Sequence, residues 1–350
     1  MRILLATDAW HPQVNGVVRT WTTSLEYLRK LGHETEVIEP NQFAGLPCPL
    51  YPEIRLCMPG VRGIVAKINS FAPDVIHIAT EGPIGMAVRL YCCRRRLSFT
   101  TSYHTKFPEY IQRMIGLPVG LSYGFMRWFH SASSAIMVAT PSLERELKAR
   151  RFDPPTVSWS RGVDLDLFHP RPKTLFDMPR PILLYVGRVS KEKSIEDFLR
   201  LKTAGTKVIV GDGPIRERLE KQYPDARFLG YRKGAALAEC YANADLFVFP
   251  SVTDTFGLVM IEALASGLPV AAYPVVGPID IITHSKIGAL DTDLGNAVEK
   301  ALSVGDPAEC VRVGRQYTWE SCTSQLLANF VSIRTGKAIG RGHCSRQMPT

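Results

Sequence analysis

The sequence predicts an α/β chain of two doubly wound parallel-sheet domains. Three observations carry this. Short runs of Val, Ile and Leu alternate with longer amphipathic segments, the pattern of a parallel sheet covered on both faces. The alternation stops at a proline-rich stretch, Asp166–Pro181, holding Pro170, Pro172, Pro179 and Pro181, and then restarts. The chain has 350 residues, 45% of them apolar, which is enough for two cores at a prior of about 150 residues per domain.

Taken in order, Arg2–Thr7 reads as a buried strand. Val17–Leu31 reads as a helix, with Val18, Trp21, Leu25 and Leu28 at helical spacing and Gly32 closing it. Strands follow at Glu36–Ile38, Val75–Ile78, Ser98–Ser102, Ala135–Ala139 and Thr156–Trp159. Past the prolines, strands at Ile182–Val186, Lys207–Val210, Arg227–Leu229, Leu246–Pro250 and Pro269–Ala272 alternate with helices. Those helices are Ile195–Leu201, Arg216–Gln222, Ala235–Ala242 and Gly257–Ala265. A helix at Leu294–Leu302 and a last one near Trp319–Ser332 precede a basic tail. The expected division is an N-terminal domain over 1–168, with a C-terminal helix at 317–333 packing back on it, a second domain over 179–316 and a loose tail over 334–350. Two such domains joined by a linker imply a cleft at the carboxyl ends of their strands.

Composition excludes several classes. The charged fraction of 21% and the apolar content rule out general disorder. Eight cysteines form neither a CxxC pair nor a Cys/His ligand spacing, so they read as reduced thiols. The opening run Met1–Asp8 is too short and too soon closed by an acid for a signal peptide. No uninterrupted apolar stretch reaches the roughly 18 residues of a membrane span. The expected location is cytoplasmic, with association at the cytoplasmic face of a membrane. The formal net charge is +9, from 42 basic and 33 acidic residues. It gathers in a cluster of Arg89, Arg94, Arg95 and Arg96 and in a tail with Arg334, Lys337, Arg341 and Arg346. No nucleic-acid motif accompanies it, so nucleic acid is not an expected partner.

Three segments of the second half carry chemistry. Tyr185-Val-Gly-Arg-Val-Ser-Lys-Glu-Lys193 follows a strand and precedes a helix. Gly187 makes the turn, and Arg188 and Lys193 bring two cations to a helix start, which is what a diphosphate needs; a solvated basic loop reads the same way. Val208-Ile-Val-Gly-Asp-Gly-Pro214 places Gly211 and Gly213 where backbones approach closely, or simply at a strand–turn–helix junction. The third runs from Phe249 to Pro269. A strand ends at Pro250, a polar loop carries Asp254, and an apolar helix starts near Gly257, leaving the amides of Phe256, Gly257 and Leu258 without partners. Asp254 and Glu262 could hold sugar and ribose hydroxyls; they read equally as an N-cap and a buried paired acid.

In this order these segments, with Tyr241-Ala-Asn-Ala-Asp-Leu-Phe-Val-Phe-Pro-Ser251, resemble the retaining glycosyltransferases of family 4, which share the two-Rossmann GT-B fold. The sequence departs from the family at Asp254, where Glu is usual, and at Ser194, where Gly is usual. The resemblance implies that Arg188 and Lys193 bind the donor diphosphate and steady it as it leaves. It implies that Glu262 contacts the ribose, that Asp254 and the amides of Phe256–Leu258 hold the transferred sugar, and that Tyr231 and Arg232 flank the base. Gly16, in Trp10-His-Pro-Gln-Val-Asn-Gly-Val-Val-Arg19, matches the family's loop glycine. His104, in Thr101-Ser-Tyr-His-Thr-Lys106, matches its active-site histidine, and Glu81-Gly-Pro looks like an acceptor-side turn.

The implied activity is metal-independent, cofactor-free transfer of a hexose from a nucleotide sugar to a lipid or glycan acceptor. The donor is of the GDP-mannose or UDP-glucose/UDP-glucuronate type, and configuration is retained. A catalytically weak or inactive nucleotide-sugar-binding protein, or an epimerase on the same fold, stands as the alternative. The arginine run and the aromatics of Leu117–Phe129 suit docking on an anionic membrane; they read equally as a solvated face over a core. Asp291-Thr-Asp293 has the form of a metal-binding DxD, but it precedes a good helix, which favours an N-cap.

Overall fold

The computed structural model describes residues 1–48 and 51–337. The chain forms two compact units, Met1–Ser160 with Trp319 onward, and Arg161–Thr318. The chain therefore passes between units at Ser160–Arg161 and again at Thr318–Trp319. The proline-rich stretch lies inside the second unit rather than between units. Its Arg171 is ion-paired with Glu239, and the Leu175 amide donates to Asn243 Oδ1 at 2.7 Å. Residues 163–168 go with it: Phe168 packs edge-on against Tyr241 at 5.6 Å.

The first unit holds strands β1 (Arg2–Ala6), β2 (Glu34–Ile38), an antiparallel hairpin of β3 (Gly45–Cys48) and β4 (Tyr51–Cys57), then β5 (Val75–Ile78), β6 (Thr100–Ser102), β7 (Ala135–Val138) and β8 (Thr156–Ser158). Apart from the hairpin they form one parallel sheet in the order β2-β1-β5-β6-β7-β8. Its helices are α1 (Gly16–Lys30), α2 (Val61–Phe71), α3 (Pro83–Arg95), α4 (Phe107–Ile115), α5 (Val119–His130) and α6 (Pro141–Ala149). Alternate strand residues face opposite sides, so the sheet has two cores. Ile3 and Leu5 meet Trp21, Leu25 and Leu28 of α1 on one side. Leu4, Ile76 and Ile78 meet Ile64 and Ile68 of α2, Ile84, Val88 and Cys92 of α3, and Phe129 of α5 on the other.

The second unit holds β9 (Ile182–Val186), β10 (Thr206–Val210), β11 (Arg227–Gly230), β12 (Leu246–Phe249), β13 (Val270–Ala272) and β14 (Gly288–Leu290), parallel throughout, in the order β11-β10-β9-β12-β13-β14. That is the doubly wound order of a dinucleotide-binding sheet. Helices α7 (Ile195–Leu199), α8 (Arg216–Gln222), α9 (Gly234–Asn243), α10 (Leu258–Ala265), α11 (Pro278–Ile281), α12 (Leu294–Val304) and α13 (Pro307–Gly314) flank it. The last helix, α14 (Trp319–Asn329), returns to the first unit. There Trp319, Cys322, Leu326 and Phe330 join the α1 side of the core. Residues 334–337 fold back, with the Ser332 amide donating to the Lys337 carbonyl. Residues 338–350 of the basic tail, with Arg341 and Arg346, lie outside the described residues.

In each sheet the chain winds first one way and then the other, so each has a switch point: between β1 and β5 in the first unit, and between β9 and β12 in the second. Ligands of open α/β sheets sit outside the carboxyl ends of strands at such points.

Candidate active site

In the second unit two loops meet at the switch point. The first leaves β9 through Gly187 and Arg188, makes a single 3-10 turn at Lys191–Lys193 and enters α7. Ser194 stands at that junction with φ 52, in the left-handed region. A glycine adopts this without the Cβ penalty, which is a physical reason for the glycine usual at this position. The second loop leaves β12 and enters α10 through Gly257, also left-handed at φ 90. A Cβ there would stand 2.8 Å from the Met260 methyl.

The two loops are stitched together. Lys193 Nζ donates to Asp254 Oδ1 at 2.6 Å, and the Thr253 hydroxyl donates to the Glu192 carbonyl at 3.1 Å. Burial pushes the Asp254 carboxyl up, but the charge and hydrogen bond of Lys193 outweigh it and hold it below the usual carboxylate value. Asp254 is thus an anion whose second oxygen, Oδ2, is enclosed and makes no well-directed hydrogen bond, although the Ser251 hydroxyl lies close enough to help hold the carboxylate ionised. An ammonium has three donors, and this bond uses one, so Lys193 keeps capacity for an anion. Arg188 Nε stands 4.0 Å from Glu192 Oε1, which the Ser190 hydroxyl also holds. No side chain caps α10, so the positive end of its dipole and its first amides, Leu258 among them, open beside Asp254.

The remaining donor-side candidates scatter more. Glu262 is 1% exposed and accepts from the Tyr241 hydroxyl at 2.9 Å, the partner of the buried-acid reading. In the sequence Tyr241 appears only as the first residue of the motif Tyr241–Ser251, with no partner assigned. Phe256 is buried against Tyr317. Tyr231 and Arg232 are exposed just past β11. Gly211 serves the backbone: a Cβ there would overlap the Gly187 carbonyl at 1.8 Å, so the turns after β9 and β10 pack on each other.

Gly16 and His104 lie in the first unit. Gly16 opens α1, where Asn15 caps the helix by accepting from the Val17 and Val18 amides at 3.0 Å each. His104 follows β6, and its Nε2 accepts from Trp21 Nε1 at 2.9 Å. The indole N–H is donor only, so this bond places the imidazole hydrogen on Nδ1. Trp21 appeared in the sequence only as an apolar helix position. His77, by contrast, is a buried histidine held by the Thr100 and Ser102 hydroxyls at 2.8 Å each.

Asp8 was also missed. It follows β1 and accepts from the Ile84 and Gly85 amides at 2.8 and 3.2 Å and from the Thr80 hydroxyl, so it caps α3 from across the switch point. Burial, with Glu81 adding to it against these bonds, raises its pKa to about 6. Glu81 Oε1 lies 3.3 Å from Nε2 of the buried His130.

Two surface expectations change. Arg89 is not part of a solvated cluster: it is 6% exposed and donates to the Phe129 and Trp128 carbonyls, while Arg94, Arg95 and Arg96 are exposed. The Leu117–Phe129 aromatics divide, Tyr123 and Phe129 into the core and Trp128 to the surface. Asp293 caps α12 through the Gly295 and Asn296 amides, and Asp291 is ion-paired with Lys300.

Comparison with known proteins follows this division. Residues 14–167 match the family model described as Glycosyltransferase Family 4, and residues 180–304 match Glycosyl transferases group 1. A GDP-mannose-dependent alpha-mannosyltransferase of Mycobacterium tuberculosis is 32% identical over 318 residues, 83% of each chain. An alpha-monoglucosyldiacylglycerol synthase of Streptococcus pneumoniae is 25% identical over 351 residues, 86% of this chain and 78% of that protein. Among solved structures, a sucrose-phosphate synthase from Thermosynechococcus elongatus superposes with a TM-score of 0.73 at 21% identity, over 93% of this chain and 97% of that one.

Proposed function

We propose that this chain, which belongs to glycosyltransferase family 4 and has the GT-B fold, is a retaining hexosyltransferase that takes a sugar from a nucleotide-diphosphate donor to a lipid or glycan acceptor. One observation carries the donor side. At the switch point of the second unit a lysine ammonium, an uncapped helix start and an ionised carboxylate with one unsatisfied buried oxygen stand together. The cation and the helix start suit a diphosphate. The orphaned oxygen suits a sugar hydroxyl, since a buried acceptor without a donor is costly.

In this reading Lys193 and Arg188 hold the diphosphate, and the amides of Phe256, Gly257 and Leu258 help Asp254 hold the transferred sugar. Asp254 Oδ2 accepts from a hydroxyl of the transferred sugar, Glu262 lies toward the ribose, and Tyr231 and Arg232 lie toward the base. The bond from the anomeric carbon to phosphate oxygen breaks, and negative charge grows on the leaving phosphate. Fixed cations and amide dipoles stabilise that charge more than the ground state. The acceptor oxygen bonds to the same face of the anomeric carbon, and its proton passes to the leaving phosphate, so configuration is retained. His104, with its Nδ1 hydrogen fixed by Trp21, hydrogen-bonds the sugar. Arg188 and Lys193 supply the charge neutralisation, so transfer proceeds in excess EDTA. A mannose donor draws support from the mycobacterial relative's name, and a lipid acceptor from the streptococcal one.

Thermal shift against a panel of nucleoside diphosphates and nucleotide sugars tests the donor site. GDP or UDP, and more strongly one matching sugar nucleotide, should raise the melting temperature of the wild type and not of Lys193→Ala. No shift with any of them would overturn the reading.

A further inference from the structure

The helices on the α2–α3–α5 side of the first unit have an unusual charge pattern. α2, α3 and α5 hold 11, 13 and 12 residues and not one Asp or Glu; at the chain's frequency of 33 acids in 350 residues, about three would be expected. They carry Arg62 and Lys67 on α2, Arg94 and Arg95 with the C-cap Arg96 on α3, and Arg127 on α5. None of these six enters an ion pair among the described residues, whereas α1 on the opposite side intersperses Glu26 with Arg29 and Lys30. Large apolar side chains stand exposed on the same three helices: Val61, Leu90, Leu121 (67% exposed) and Trp128 (44%). Trp128 is not loose. The Arg89 guanidinium lies over its ring at 4.1 Å and ties α3 to the end of α5.

We propose that this three-helix face docks on an anionic lipid bilayer. Unneutralised cations attract anionic headgroups, and Leu, Val and Trp side chains enter the interface below them. A nucleic acid would use the cations but has no place for Val61, Leu90 and Leu121, and so fits the face less well. The proposal deepens the glycosyl-transfer reading by favouring an acceptor that resides in a membrane. Its test does not depend on transfer.

Co-sedimentation with vesicles of equal parts phosphatidylglycerol and phosphatidylcholine, against phosphatidylcholine alone, measures it. Binding should be about tenfold or more stronger to the anionic vesicles, and should weaken as salt rises. The Arg94→Ala/Arg95→Ala/Arg96→Ala protein should lose most of it while keeping its thermal response to nucleoside diphosphates, which shows that it is folded. Acyl chains carrying bromine should quench tryptophan fluorescence, and Trp128→Phe should remove most of that quenching. Equal binding to both vesicle types, no binding, or full binding by the triple variant would overturn the proposal. So would displacement of vesicles by an oligonucleotide without any quenching by brominated lipid, which would assign the face to nucleic acid. Because the nucleotide response is read separately, failure of the docking face and failure of the donor site cannot be confused.

Discussion

The two switch points are built from the same parts and finished in opposite ways. In each, the strand across the switch, β5 or β12, feeds a helix whose N-cap is glycine, Gly82 or Gly257. In the first unit the chain fills the helix start itself: Asp8 takes the Ile84 and Gly85 amides, and a Cβ on Gly82 would stand 2.4 Å from its Cγ. In the second no side chain caps α10, and the loop that leads into it carries Asp254, paired with Lys193. A helix start that already holds a carboxylate has no use for a second anion; one that does not, beside an ammonium, does. The contrast is what supports the proposal that the phosphate side of the chemistry belongs to the second unit.

The largest effect should come from Lys193→Ala. Removing one charge-stabilising donor from a leaving group costs about 10²–10³ in kcat, and the protein should stay folded with a lowered melting temperature, because Asp254 loses its ion-pair partner. Near-normal turnover would erase the distinction between the two switch points. Next comes the pH response of the filled one. Asp8 keeps its proton to about 6 when folded, against 3.8 ordinarily. The folded state binds more protons between those values, so stability is full below the lower one and falls as pH rises through the upper, by about 3 kcal/mol. In urea titrations the wild type's advantage over Asp8→Asn should shrink by that amount across the window; a constant difference would mean that Asp8 titrates as an exposed acid. Asp254→Asn comes third. Losing a hydrogen bond to a charged group should cost about tenfold or more in affinity for the sugar nucleotide, with little change for the nucleoside diphosphate alone. An equal loss for both would move Asp254 from the sugar to the phosphate. The smallest effect is Ser194→Gly, which should stabilise the protein by about 1 kcal/mol by relieving a left-handed serine, seen as a rise in melting temperature.

Much of this is legible in the sequence alone. Strands such as Val75–Ile78 and Ile182–Val186 are continuous apolar runs, and a two-sided parallel sheet leaves that trace directly. Arg188, Lys193 and Asp254 stand out as candidates because strand ends and helix starts punctuate the sequence around them. What escaped was long-range. Asp8 and the turn at Ile84 are 76 residues apart, and nothing local marks an acid after β1 as a cap for α3. Trp21 and His104 are 83 apart, and an indole at a core position shows its N–H only when the partner is in place. The β3–β4 hairpin carries Pro47 and Pro52, which argue against strand in any local reading. The misplaced linker has a similar cause: prolines mark irregular backbone, and that backbone is fastened to α9 and to Asp245, through Arg171, Lys173 and Arg180, rather than spanning between units.

The place of α14 bears on how the protein is made. Its Trp319, Cys322, Leu326 and Phe330 complete the packing around Trp21 and Leu25, so the first unit begun on the ribosome is the last to be finished. The whole of Arg161–Thr318 can emerge and collapse while its predecessor waits with one side of its sheet half covered. A stop codon shortly before residue 319 would therefore spare the segment synthesised just ahead of it and cripple the one synthesised first.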